Sequence, residues 1–477
     1  MKGITHALVL IFLVLLLNSC FSPYSGKEEM ATITISLGDG AARAPVWPDL
    51  TNSSSPHFSK IRHMVILTDS TGFPREIPMG PGVLSTTRTV PPGTYTATIV
   101  GYYRDILFAR DMTTYGTSNP QTVTAGTPTP LTFSMQKVAA IYIVNNEDDW
   151  NDLQDNYPDG WMAIDYMDDG VRDFILEITS SFEIEGGDLF LGASDITATI
   201  FGNGFTLSKD PTPGTGYIFE IETPDQTVII QDLNLEGIPG NNNALISVGN
   251  HATLIMMENS SIFGNENGGN ATPGGGVYVG ADGTFIMEGG TIGHDIPGLA
   301  NQADEGGGVY VDGGGTFIMN GGSVTGNQAY LQGGGFYIES GGTLTMKNDA
   351  TIDSNTAGVA AGYAGHRGGG VFIQGTFPIP PPSPPNSGPG LLTMEGGDIK
   401  CNVAHGQGGG VYVNQLAEFH KTGGVIHGVT PGPTLGPESN YVINISGTLD
   451  TNPFAAHALS TFNGSYDEDI TGPHHYN

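Results

Sequence analysis

Short runs in which apolar and polar residues alternate recur along most of the chain. Such alternation predicts β-strands with one buried face. After position 30 the clearest runs lie at 32–36, 64–67, 95–100 and 131–135. A Pro-Pro-Gly turn at 91–93 precedes the strongest of these runs. We therefore predict a β-sandwich over residues 31–137.

A repeated unit dominates the second part of the chain. Gly-Gly-Gly followed by an apolar, an aromatic and an apolar residue begins at positions 274, 306, 333, 368 and 408. The most compact copy contains three strand-like segments, at 336–338, 343–346 and 351–353. Three strands per repeat predict a right-handed parallel β-helix of about ten rungs over residues 138–450, with a triangular cross-section.

The repeats predict columns of equivalent residues that run along the inside of this coil. One column consists of methionines and a second of branched aliphatic residues: Met256, Met287, Met319, Met346 and Met394, and Ile262, Ile292, Val324, Ile352 and Ile399. Asn265, Asn327, Asn355 and Asn402 follow at bends, where stacked amides can bond from rung to rung, and we expect Asp295 to break this column. A helix from Glu147 to Asn156 is expected to cap the first rung.

Alternation within the Val-Tyr-Val segments places a row of aromatic side chains outside the coil. This aromatic stripe consists of Tyr278, Tyr310, Tyr337, Phe372 and Tyr412. Exposed rings can stack on sugars, and this property makes the stripe a candidate binding surface. Stacking of the rings on one another, which would only stiffen the sheet, is the alternative interpretation.

The next outward column brings two carboxylates together on neighbouring rungs. Asp312 and Glu339 would lie about one strand spacing, roughly 5 Å, apart. That spacing is compatible with the carboxylate pair of a retaining glycosidase, and Ca²⁺ could also bridge the two groups. The alternative is that both are solvated acidic side chains. The basic residues that a polysaccharide lyase needs have no obvious candidate, since only Arg172 and Arg367 represent arginine after Val138.

Composition narrows the set of partners. The chain has 48 acidic against 16 basic residues, and its formal net charge of −32 makes nucleic acid an improbable partner. With 38% hydrophobic and only 13% charged residues, most of the chain should fold. No three-residue glycine period or heptad run supports a collagen or a coiled coil.

The N-terminus has the features of an export signal. Lys2 precedes an apolar run from Ala7 to Leu17, which is too short to span a bilayer, and Cys20 follows. The segment resembles a bacterial lipoprotein signal, and this resemblance implies that residues 1–19 are removed and that Cys20 is diacylated. An ordinary secretory signal with an incidental cysteine is the alternative. Residues 20–30 would form a flexible tether.

Two further resemblances concern the folded regions. The Pro-Pro-Gly-Thr-Tyr entry at 91–95 resembles small transthyretin-like or immunoglobulin-like modules of surface proteins. The pairing of Gly-Gly-Gly-Val-Tyr-Val with Ile-x-x-Asn resembles the short paired motifs of chlamydial polymorphic membrane proteins and related bacterial β-helix proteins of the pectin-lyase-like fold. This chain has a third Gly where that family usually has Ala. The resemblance implies a surface or adhesin-like role.

The sequence therefore predicts a lipid-anchored protein of the cell envelope, expected at the outer membrane or cell surface. Its β-helix would act as a display or adhesion module for glycans or for another cell-surface partner. The alternatives are a polysaccharide lyase or glycoside hydrolase on the same fold, and a purely structural envelope protein. A proline-rich insertion at 377–389 is expected to protrude from the coil, and residues 451–477 form a tail without an assignable pattern.

Overall fold

The structure is a computed structural model of the 477-residue chain. It describes residues 30–36, 60–80, 83, 85–111, 120–123, 129–132, 135–137, 139–155, 171–185, 187–188, 194–211, 216–268, 273–296, 298–358, 366–376, 388–426, 442–444 and 474–476. The chain divides into two compact units, Met1–Lys137 and Val138–Asn477.

The first unit is built from short, mostly antiparallel strands. They are β1 (Ala31–Ser36), β2 (Ile61–Asp69), β3 (Pro74–Met79), β4 (Ser85–Val90), β5 (Gly93–Tyr103), β6 (Ile106–Asp111), β7 (Pro120–Val123), β8 (Thr129–Thr132) and β9 (Met135–Lys137). One sheet has the order β4-β1-β8, in which β1 and β8 are parallel, and the other has the order β3-β2-β5-β6-β9, with β7 also paired to β5.

Both sheets of the first unit contribute to one hydrophobic core. Ile33 and Ile35 of the first sheet belong to the same buried cluster as Val65, Leu67 and Ile99 of the second. The alternating burial along β2 and β5 is what the alternating sequence predicts. Two mostly antiparallel sheets around a shared core support the predicted sandwich.

The second unit is a parallel β-solenoid, as predicted. Its elements in the first half are β10 (Ala139–Val144), α1 (Glu147–Asp155), β11 (Asp173–Ile178), β12 (Phe182–Ile184), β13 (Gly187–Asp188), β14 (Thr197–Phe201), β15 (Thr206–Lys209), β16 (Phe219–Ile221), β17 (Thr227–Gln231), β18 (Asn234–Glu236), β19 (Ile246–Val248), β20 (Thr253–Met256), β21 (Ser261–Phe263), β22 (Val277–Val279), β23 (Thr284–Met287) and β24 (Thr291–Ile292).

The remaining strands continue the same winding. They are β25 (Gln302–Glu305), β26 (Val309–Val311), β27 (Thr316–Met319), β28 (Ser323–Thr325), β29 (Gln328–Gln332), β30 (Phe336–Ile338), β31 (Thr343–Met346), β32 (Thr351–Asp353), β33 (Thr356–Ala357), β34 (Val371–Ile373), β35 (Leu391–Met394), β36 (Asp398–Lys400), β37 (Val403–Ala404), β38 (Val411–Val413), β39 (Glu418–Lys421), β40 (Val425–Ile426), β41 (Val442–Asn444) and β42 (His474–Tyr476).

Three long sheets and one short sheet make up the solenoid in the described part of the chain. We call them the methionine sheet (β10-β11-β14-β17-β20-β23-β27-β31-β35-β39-β42), the isoleucine sheet (β12-β15-β18-β21-β24-β28-β32-β36-β40), the tyrosine sheet (β13-β16-β19-β22-β26-β30-β34-β38-β41) and the corner sheet (β25-β29-β33-β37). The corner sheet was not predicted. Its strands begin directly after the asparagine bends, so the later rungs are four-sided rather than triangular.

The interior columns are those the sequence predicts. The five methionines are paired in register on successive strands of the methionine sheet, and each is fully buried. The aliphatic column of the isoleucine sheet, from Ile262 to Ile399, is also fully buried. Phe285 and Phe317 stack inside with ring centroids 4.6 Å apart. One continuous hydrophobic core therefore runs through the solenoid.

The asparagine ladder is confirmed, but the predicted break at Asp295 is wrong. Asn301, nine residues after Ile292 instead of the usual three, occupies the position in this rung. Its Nδ2 donates to Asn327 Oδ1 over 3.1 Å, and its own Oδ1 accepts from the Asn265 backbone N–H over 3.3 Å. Asp295 instead accepts a hydrogen bond from Thr325. A six-residue detour therefore leaves the ladder intact.

Different elements lie at the two ends of the methionine sheet. The predicted helix is present as α1, which packs against β10 and β12. Its Trp150 is fully buried and stacks on Phe219 with ring centroids 5.9 Å apart. At the far end, β42 pairs antiparallel with β39, the only antiparallel pair among the described solenoid strands. Each element thus covers a strand edge that would otherwise be open.

Candidate functional site

The Gly-Gly-Gly corner before each of the strands β22, β26, β30, β34 and β38 needs glycine at all three positions. The first glycine has a positive φ, for example +65° at Gly306 and +69° at Gly333. A Cβ on Gly334, the second, would lie 2.4 Å from the Gly369 carbonyl oxygen. A Cβ on Gly335, the third, would lie 2.6 Å from the Gly370 carbonyl oxygen and 3.0 Å from the Asn355 amide. The corner and the asparagine ladder are therefore packed directly against each other.

The strand after each corner places its aromatic residue outside the hydrophobic core, as predicted. The rings of the aromatic stripe stack on successive rungs. The centroid distances are 5.9 Å for Tyr278–Tyr310, 4.8 Å for Tyr310–Tyr337, 4.9 Å for Tyr337–Phe372 and 5.3 Å for Phe372–Tyr412. These four contacts confirm the interpretation that the rings of the stripe stack on one another.

The expectation of an exposed aromatic platform is wrong for four of the five rings. Relative exposure is 7% at Tyr310, 5% at Tyr337, 1% at Phe372 and 0% at Tyr412, and only Tyr278 is partly exposed. The physical reason is that each inner ring has a neighbouring ring on both faces. At the C-terminal end, the Arg367 guanidinium covers Tyr412, 4.9 Å from its ring centroid. The stripe therefore exposes little ring surface to a ligand.

The two candidate carboxylates bind tyrosine hydroxyls of the preceding rung. Tyr278 Oη donates to Asp312 Oδ2 over 2.6 Å, and Tyr310 Oη donates to Glu339 Oε2 over 2.8 Å. Each carboxylate also accepts a backbone N–H at the turn that follows it, from Gly313 and Ser340 respectively. Asp312 and Glu339 thus link neighbouring rungs.

Burial and these carboxylates change the acidity of the stripe. The pKa values of Tyr278, Tyr310 and Tyr337 are all raised, first by burial of the phenol and then by the nearby carboxylates. The phenols therefore remain protonated at neutral pH. Two of them act as hydrogen-bond donors to the carboxylates.

A second polar column on the other side of the stripe was missed by the sequence reasoning. It consists of the residue directly before each of the last four Gly-Gly-Gly corners: Glu305, Gln332, Arg367 and Gln407. Register pairs Glu305 with Gln332, and bridges join Gln332 to Arg367 and Arg367 to Gln407. The pKa of Glu305 is raised by burial and then by Glu339 and Asp304. Aligning the chain on its glycine corners would have revealed this column.

Other charged residues are accounted for by packing. Lys347 and Glu395 form a surface ion pair, with 3.9 Å between Nζ and Oε2. Lys421 follows Met394 in register and is fully buried, and this burial lowers its pKa.

An open groove of about 510 Å³ lies where the methionine and isoleucine sheets meet. Glu258, Glu288 and Asp349 are among the residues that line it.

Several predictions concern residues outside the described part of the chain. They include the signal segment 1–19, Cys20 and residues 21–29 of the tether, positions 377–387 of the proline-rich insertion, and most of the tail. Cys401 is described and has an exposed, free thiol. Among the described helices, none is long and apolar enough to cross a bilayer. No cluster of three or more His, Cys, Asp or Glu side chains suited to a metal occurs in the described ranges.

Comparison of the chain with protein-family models, with curated proteins and with solved structures gives no significant match in any of the three.

Proposed function

We propose that this protein is a lipoprotein of the cell envelope whose solenoid serves as a rigid surface-display module. In this proposal Cys20 carries the lipid, residues 20–30 tether the folded units to the membrane, and the solenoid holds its inserted segments away from the bilayer. The proposal requires no chemical reaction at the solenoid. The outer membrane is the expected location.

The observation that carries the proposal is the use of outward polar residues in rung-to-rung bonding. Asp312 and Glu339, which could have formed a hydrolytic pair, each accept a tyrosine hydroxyl and a backbone N–H. The five rings stack with centroids 4.8–5.9 Å apart. Side chains that tie neighbouring strands together favour a stiff support over a catalytic cleft.

The same geometry narrows the adhesion hypothesis. A flat sugar platform requires exposed ring faces, and the four inner and C-terminal rings are at most 7% exposed. We therefore place any adhesive contact on inserted segments or on polar edges of the solenoid rather than on the aromatic stripe.

Metabolic labelling with an alkyne fatty acid in a bacterium with an outer membrane tests the anchor. The chain has two cysteines, so Cys401→Ser is a matched control for Cys20→Ser. We expect label and membrane association in the wild type and in C401S, and neither in C20S. Label that persists in C20S would overturn the proposed anchor.

Protease treatment of intact cells tests surface display. Surface exposure predicts that external protease degrades the wild-type protein while a periplasmic marker survives. Protection equal to that of the marker would reject surface display and favour a structural role inside the envelope.

An enzyme assay tests the alternative that the solenoid is catalytic. Purified protein incubated with a panel of acidic and neutral polysaccharides should produce no new reducing ends. Their appearance would instead support the hydrolase or lyase alternative.

A further inference from the structure

Two histidines and a glutamate come together at the C-terminal end of the methionine sheet, where β42 pairs with β39. His420 and Glu418 lie two residues apart on β39, and both occupy the outward face of that strand. The antiparallel register places His475 of β42 directly opposite His420. Residues directly opposite each other in an antiparallel pair share one face of the sheet, with their Cβ atoms about 5 Å apart.

The spacing of the two β39 side chains suits a tetrahedral metal ion. His420 Nε2 lies 3.4 Å from Glu418 Oε2, which is longer than the roughly 2.9 Å upper limit of a charge-assisted hydrogen bond. Two ligands that each lie about 2.1 Å from a tetrahedral Zn²⁺ are about 3.4 Å apart. The two side chains are 32% and 35% exposed, so an ion can reach them from solvent.

No lysine competes for this carboxylate on the same face of the sheet. Lys421, the next residue along β39, is fully buried and lies on the inner face. On the other side of β39, His420 is paired with Thr393 of β35, which carries no charge. Within the described residues, the ion pairs of Glu418 are confined to His420.

We propose that Glu418, His420 and His475 form a binding site for a transition-metal ion, with Zn²⁺ as the expected occupant, and that the metal fastens β42 to β39. Side-chain positions alone give no group of three ligands in the described ranges. The metal therefore completes the site by drawing together side chains from the two strands. This site is independent of the proposed display role, because it depends on neither the anchor nor the location of the protein.

The available donors determine the class of metal. Two imidazoles and one carboxylate suit Zn²⁺ and its neighbours in the first transition row, whereas Ca²⁺ and Mg²⁺ prefer oxygen ligands throughout. Three protein ligands leave the fourth tetrahedral position to a water molecule. Because the metal binds only when β42 is paired with β39, it stabilises that pairing by mass action. The metal would thus hold the strand that covers the open edge of the methionine sheet.

Glutamine substitutions test the site one ligand at a time. The ligand variants are His420→Gln, His475→Gln and Glu418→Gln. His420 and Glu418 are partly exposed, so their variants should fold, and the strand signal in circular dichroism checks that all of them do. The matched control is His474→Gln, because His474 pairs with Lys421 and is one position out of phase with the proposed ligands.

Isothermal titration of the full chain with ZnCl₂ at about pH 7.5, where histidine ligands can bind metal, measures the affinity. All proteins carry Cys401→Ser, which removes an exposed thiol that could compete for zinc. We expect each ligand variant to weaken zinc binding at least about tenfold and H474Q to leave it unchanged. Hydrogen exchange gives a second measurement, in which zinc should protect the β42 amides in H474Q but not in H420Q.

Three results would each overturn the proposal. One is the absence of saturable zinc binding before the chain with all proposed ligands precipitates. The second is unchanged affinity in H420Q, which would show that the tail histidines bind the metal by themselves. The third is an equal loss in H474Q and H475Q, as chelation by two adjacent histidines without the β39 ligands would give.

Discussion

The asparagine ladder and the aromatic stripe both run along the solenoid from rung to rung, yet they tolerate different degrees of variation. From Asn241 to Asn402 the ladder holds asparagine at six positions, all fully buried. The stripe includes one phenylalanine, and the equivalent position of the preceding rung is Ser247. A buried amide must satisfy donors and acceptors on both neighbours, whereas a stacked ring needs only a flat neighbour.

This difference indicates that the ladder determines register and the stripe adds stiffness. Asn327 Nδ2 donates to the Ile292 carbonyl over 2.9 Å and to Asn355 Oδ1 over 2.9 Å, so its position is fixed relative to two rungs. No residue other than asparagine offers this set of donors and acceptors in the same volume. The stripe contributes ring contact, to which the hydroxyl bonds of Tyr278 and Tyr310 are added.

The largest loss of stability is expected from Asn327→Ala, which removes one amide of the asparagine ladder. The substitution leaves the Ile292 carbonyl without its amide donor and opens a cavity, so we expect at least about 3 kcal/mol of destabilisation. Urea unfolding measures the total effect, and hydrogen exchange should show lost protection in the neighbouring rungs. Asn320→Ala, at a half-buried site on the same rung where the amide donates to Glu288, should cost less than about 1 kcal/mol. Equal effects of the two variants would contradict the assigned role of the ladder.

A smaller loss is expected from Gly335→Ala, which forces a methyl group against the ladder. Its Cβ would lie 2.6 Å from the Gly370 carbonyl oxygen, so strand spacing must change locally, at a cost of about 1–3 kcal/mol. Gly388→Ala is the control, because a Cβ there meets nothing within 4 Å. Thermal unfolding of both variants checks this. If G335A has the same thermal unfolding midpoint as the wild type, the asparagine ladder can shift to accommodate the methyl group.

Much of the solenoid was predictable because a fixed residue spacing encodes its columns. The methionines and Ile-x-x-Asn bends recur at constant offsets, and the pairing follows from them. Asn301 was missed because Asp295 stood at the expected spacing, and nothing local reveals that the chain detours before it bends. Burial of the stripe was missed because alternation distinguishes inside from outside but does not show that stacked rings cover one another. The corner sheet was missed because its shortest strands, such as Thr356–Ala357, have no periodicity to detect.

Within the stripe, Tyr310→Phe should cost about 1 kcal/mol, since it removes the hydroxyl that donates to Glu339 while the ring stack remains. Tyr337→Phe provides the internal control, because that hydroxyl has no hydrogen-bond partner within the described residues. We therefore expect Y337F to unfold at nearly the same urea concentration as the wild type. The comparison fails if Y337F loses as much stability as Y310F.

The smallest effect concerns Glu305 and depends on pH. Its pKa is raised above 4.5 in the folded protein, so the folded state binds its proton more tightly than the unfolded state does. The resulting stabilisation is present below pH 4.5 and is lost as the pH rises through the raised pKa. Glu305→Gln should therefore match the stability of the wild type near pH 4 and exceed it at pH 7. Urea midpoints at both pH values measure the difference, and a constant offset would contradict it.

The detour between Ile292 and Asn301 has a consequence for how such a protein can change over time. Six additional residues enter one rung, and the amide that closes the bend still bonds to both neighbours. New surface segments can therefore be inserted at this bend during evolution without a change in the buried residues of the solenoid. The surface segments can change while the buried columns along the axis stay the same. This separation applies to each rung individually.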